Sequence, residues 1–82
     1  MKLTYKDNRD KLRFVSHPNS IKEALQDIDT YTKELNPNFR IPYKRLNISE
    51  KEICVDVGSW SEFFYITGFI EEDLRKFKEE KT

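Results

Sequence analysis

The chain has 82 residues, 37% hydrophobic and 13% aromatic, with 15 basic and 15 acidic side chains and a formal net charge of zero. That length supports one small domain over residues 1–82, whose core is too small to enclose a deep substrate cavity. Balanced charge argues against a strong non-specific DNA binder, and one cysteine, Cys54, excludes an internal disulfide and a multi-cysteine zinc site.

Leu3 and Tyr5, then Leu12 and Phe14, alternate with polar neighbours around the turn formers Asp7-Asn8-Arg9-Asp10. This predicts an opening hairpin with strands near 2–6 and 11–16. His17-Pro18-Asn19-Ser20 breaks the pattern, and Ser20 followed by Glu23 fits a capping box, with Asn19 the rival cap. Ile21, Ala24, Leu25, Ile28, Tyr31 and Leu35 then recur at helical spacing, until Asn36-Pro37-Asn38 stops the helix.

Arg40 to Ile48 reads as extended. Ile41 and Tyr43 share one parity and Leu46 and Ile48 the other, so a bulge is expected near Lys44-Arg45, and Pro42 marks a strand start or edge. Ile53, Val55 and Val57 alternate with Cys54 and Asp56 as a clear strand. Gly58-Ser59-Trp60-Ser61 is the next turn, and Glu62 to Thr67 the returning strand. After Thr67-Gly68 a terminal helix carries Ile70, Leu74 and Phe77 on one face, supported by the acid-first pairs Glu71 with Arg75 and Glu72 with Lys76. The sum is an α+β fold: an antiparallel sheet of about five strands with two helices, in the order β-β-α-β-β-β-α, packed as a two-layer sandwich.

Few residues offer chemistry. His17 and Cys54 are the only histidine and thiol, and nothing in their spacing brings them together as a nucleophilic pair. Asp56, between Val55 and Val57, reads as an outward polar position of a half-wet sheet. No phosphate-binding loop, zinc-protease helix motif or calcium loop occurs, so no catalytic, cofactor-binding or metal-binding residue is assigned and an enzyme is not expected. Without an apolar run of membrane-spanning length or a secretory leader pattern, the cytoplasm is the expected compartment, with no membrane partner and no small-molecule substrate indicated.

The informative stretch is Gly58-Ser59-Trp60-Ser61-Glu62-Phe63-Phe64-Tyr65. Alternation sends Phe63 and Tyr65 to one face and Phe64 and Ile66 to the other. Either both faces are covered and the aromatics fill a core, or one pair is offered to a partner. Trp60, Phe63, Phe64 and Tyr65 are therefore the candidate anchors for a protein partner or a homodimer across the sheet, with Ser61 and Glu62 as polar rim. The alternative is a nucleic-acid surface built from Arg9, Lys11 and Arg13 of the hairpin with Arg40, Tyr43, Lys44 and Arg45.

The Lys, Asn and Ile richness and the run from Val55 to Phe64 resemble small uncharacterised proteins of Gram-positive bacteria, their phages or mobile elements. That resemblance implies an accessory or regulatory protein more than a metabolic enzyme, and it assigns no residue a role.

Overall fold

A computed structural model describes residues 1–80. Five strands and two helices follow the expected order: Lys2–Lys6 (β1), Leu12–Ser16 (β2), Ile21–Leu35 (α1), Arg45–Ile48 (β3), Glu52–Asp56 (β4), Phe63–Thr67 (β5) and Glu71–Glu80 (α2). The strands form one antiparallel sheet in the order β2-β1-β5-β4-β3. The first and last strands are thus neighbours near the middle. The chain leaves the sheet at one edge after β2 and re-enters at the other edge with β3, and α1 makes that crossing.

Local chemistry sets α1. Ser20, in extended conformation, accepts a hydrogen bond from the Glu23 backbone N–H at 3.0 Å, filling one of the orphan donors of the first turn. At the far end the Asn36 N–H still bonds Thr32, and Pro37 prevents a further turn. Ile21, Ala24 and Ile28 of the apolar stripe are buried, with Leu25 and Tyr31 packed beside them.

Both helices contribute to a core on one face of the sheet. Leu3 and Tyr5 of β1, Ile53 and Val55 of β4, and Phe64 and Ile66 of β5 meet Ile28 of α1 and Phe77 of α2. The sheet and helices make the two layers of the expected sandwich. Tyr5, Tyr31 and Phe64 form a ring cluster, with centroids 5.0 Å apart for Tyr5 and Phe64 and 5.4 Å for Tyr5 and Tyr31.

Three details differ from the sequence reading. Residues 41–44 lie outside the sheet, so the change of parity there reflects a short strand that starts at Arg45, not a bulge inside a long one. The register irregularity falls instead in the hairpin, between Leu3 and Thr4 of β1 as they face β2. Ile70 is not on the buried face of α2: it is 63% exposed, because it sits at the cap position, where Asp73 Oδ2 accepts its backbone N–H at 2.8 Å.

Candidate interaction face of the sheet

Because the helices cover one face, the opposite parity of every strand forms a second, uncovered face. Strand register arranges its side chains in rows. One row runs Phe14, Thr4, Tyr65, Cys54, Asn47 across β2, β1, β5, β4 and β3. The next runs Leu12, Lys6, Phe63, Asp56, Arg45, and a shorter third joins Lys2, Thr67 and Glu52. Phe63 and Tyr65 stand half-buried on the central strand, held by their neighbours. The Lys6 ammonium lies 5.4 Å from the centre of the Phe63 ring. Leu12 and Phe14, 65% and 55% exposed, extend the apolar area to the β2 edge.

The four candidate aromatics therefore divide. Phe64 is 1% exposed, so it is core and drops out of any binding surface; its parity places it with Ile66 under the helices. Phe63 and Tyr65 remain on the open face. Trp60 is fully exposed in the loop between β4 and β5. The loop is folded on itself: Ser59 Oγ accepts from the Ser61 and Glu62 backbone N–H groups at 3.4 and 3.2 Å, and the Gly58 N–H donates to Asp56 Oδ1 at 2.9 Å. Glu62 turns inward to the core side. Its Oε1 accepts from the Tyr5 hydroxyl at 2.8 Å, and burial together with that bond raises the Tyr5 pKa.

Leu12 and Phe14 belong to the open face, a side that alternation within β2 alone does not settle. The signal that fixes their side is the turn: Leu12 pairs with Lys6, and Lys6 has the opposite parity to Tyr5. The same register pairs Phe14 with Thr4 and so sends it outward, where its ring packs on His17 with centroids 4.8 Å apart.

His17 and Cys54 are kept apart. His17 Nδ1 lies 3.1 Å from the Met1 carbonyl oxygen beside β2, whereas Cys54 is on β4, with β1 and β5 between them. Cys54 lies directly opposite Tyr65, and burial pushes the thiol pKa up, which keeps it protonated and poorly nucleophilic. Burial also raises the Tyr65 pKa, with the neighbouring thiol adding to the shift. Among the described residues no group of three His, Cys, Asp or Glu side chains is placed to hold a metal ion.

The basic candidates do not converge. Arg9, Lys11 and Arg13 belong to the hairpin at one edge of the sheet, while Arg40 to Arg45 lead into the strand at the other. Arg13 lies 3.3 Å from Asp7, and Lys44 grips Asp29 of α1 at 2.9 Å. Arg45 lies against Tyr43, 5.8 Å from the ring centre.

A cavity of about 260 Å³ opens beside the end of α1, lined by Tyr5, Leu35, Asn36, Phe39, Val57 and Glu62 among others. It is smaller than the roughly 300–1,000 Å³ usual for a drug-sized ligand. No helix among the described residues is long and apolar enough to cross a membrane. No protein-family model, curated protein or solved structure matches this chain.

Proposed function

We propose that the protein is a small cytoplasmic accessory or regulatory module that binds a polypeptide through the uncovered face of its sheet. One observation carries this reading: Phe63 and Tyr65 on the central strand, with Phe14 and Leu12 beside them, lie on the face that neither helix covers. Aromatic side chains bring large apolar area at low cost in side-chain entropy, and flanking charges supply orientation. Adjoining apolar side chains left on one surface mark interaction sites in small proteins.

The test is a photo-cross-linker introduced at position 14 on the open face, with position 26 on the solvent side of α1 as the control. Position 14 should give polypeptide adducts in the native cell, and Tyr65→Ala should abolish them. Equal labelling from position 26, or no adduct from position 14, contradicts the reading.

A nucleic-acid surface is the second reading, and it needs a strand long enough to bridge both edges of the sheet. It predicts binding that falls steeply with salt as phosphate contacts release counterions.

A further inference from the structure

We infer that the open face takes a second copy of this chain, stacked sheet to sheet about a two-fold axis that runs along β5. This rests on the reading of that face as a protein-binding surface and adds the partner and its register.

The distribution of charge over the face makes it complementary to itself. Strand β1 contributes Lys2 and Lys6, β5 contributes Phe63, Tyr65 and Thr67, and β4 contributes Glu52 and Asp56. The three central strands therefore carry a basic stripe, an aromatic stripe and an acidic stripe, side by side, with Arg45 of the edge strand β3 beyond Asp56. Register fixes their heights: Lys2, Thr67 and Glu52 share one row, and Lys6, Phe63 and Asp56 another.

A closed dimer of stacked faces has its two-fold axis in the plane between them, so that each contact occurs twice. An axis parallel to β5 lays β1 of one copy over β4 of the other without changing height. Lys2 then meets the partner's Glu52, Lys6 meets the partner's Asp56, and both contacts repeat by symmetry. Phe63 and Tyr65 meet their own copies across the axis. An axis perpendicular to the strands gives the opposite result: Lys2 meets the partner's Lys6, and Glu52 meets the partner's Asp56. Like charges directly opposed are unfavourable, so the pattern selects the parallel axis.

That axis also keeps the two sets of strands running in the same direction, as in aligned sandwiches, whose sheets cross at about −30°. Such a crossing brings the three central strands, where the stripes lie, closest together. Lys6 has a competing partner, since its ammonium is 3.3 Å from Asp10; that carboxylate is 85% exposed and so holds the lysine loosely. The ion pairs therefore set orientation, and the aromatic stripe supplies affinity. Five strands about 4.8 Å apart and four or five residues long span roughly 400 Å² in plan. A stable interface takes about 800 Å² from each partner, so the dimer is weak, with a dissociation constant in the micromolar range or above.

The experiment is sedimentation over a concentration series up to about 1 mM at low ionic strength, with folding checked by far-UV circular dichroism. Wild type should dimerise. Lys2→Glu/Lys6→Glu and Glu52→Lys/Asp56→Lys should each do so at least about tenfold more weakly. The quadruple variant exchanges the stripes but keeps them complementary, and it should return to the wild-type constant. An equimolar mixture of the two double variants should form a mixed dimer, which reads out complementarity even if the quadruple does not fold. A wild type that stays monomeric overturns the proposal, as do double variants that dimerise like wild type or a folded quadruple that does not. In any of these cases, adducts to a foreign polypeptide from position 14 would preserve the binding face and remove only the self-docking. The absence of any adduct would remove both.

Discussion

Asp7 shows how one residue can organise a turn. It is 8% exposed, its Oδ1 accepts from the backbone N–H groups of Arg9 and Lys11 at 2.8 and 3.0 Å, and Arg13 lies 3.3 Å from its Oδ2. Those two backbone bonds, with Arg13 a smaller contribution, hold its pKa below the ordinary value of 3.8. A depressed folded-state pKa means that the carboxylate stabilises the fold above the unfolded value, and that this contribution is lost as pH falls through the folded one. Asp7→Asn should therefore be less stable than wild type near neutrality, and the gap should close on acidification. Urea midpoints followed from about pH 6 down to pH 2 check this, and a gap independent of pH would show that the charge is not what matters.

Among elements, those specified by nearby residues were the most legible. The cap at Ser20, the apolar spacing and Pro37 all act within one or two turns, and α1 begins and ends where they indicate. Ser20→Ala should cost about 1 kcal/mol in thermal or urea unfolding, as loss of such a cap does; an unchanged midpoint would mean that Glu23 N–H finds water at no cost. Segments governed by distant partners were less legible. Residues 41–44 alternate like a strand yet pack outside the sheet, where Pro42 lies against the loop after β4. A Cβ on Gly58 would come within 2.6 Å of Pro42 Cγ, at a φ of +87° that suits glycine. Gly68 has a similar φ of +75°, but a Cβ there would meet Met1 Cα at an ordinary 3.6 Å. Gly58→Ala should thus destabilise the protein by more than Gly68→Ala, and by more than about 1 kcal/mol. Equal losses in urea unfolding would mean that the Pro42 contact relaxes freely.

At the scale of the molecule, the division of the aromatic run depends on which sheet face the helices occupy. Alternation separates Phe63 and Tyr65 from Phe64 and Ile66, and that much was legible. Strand order and the side taken by α1 and α2 are set by burial summed over the whole chain, which no short window contains. The same limit hid Leu12 and Phe14, whose face follows from pairing with Lys6 and Thr4. Nor could the opposed stripes of Lys2 and Lys6 against Glu52 and Asp56 be seen before β1 and β4 were known to flank β5.

In the proposed function Phe63 and Tyr65 serve association while Phe64 serves the fold. Urea unfolding at high dilution of Phe63→Ala/Tyr65→Ala, beside Phe64→Ala, tests it most directly. Phe64→Ala should lose about 3–5 kcal/mol, a large part of the stability of a domain this small, and shift its transition to much lower urea. The double variant should keep a native circular dichroism spectrum and a cooperative transition. If it instead unfolds as readily as Phe64→Ala, both faces of β5 are core and the open sheet face is not a binding surface.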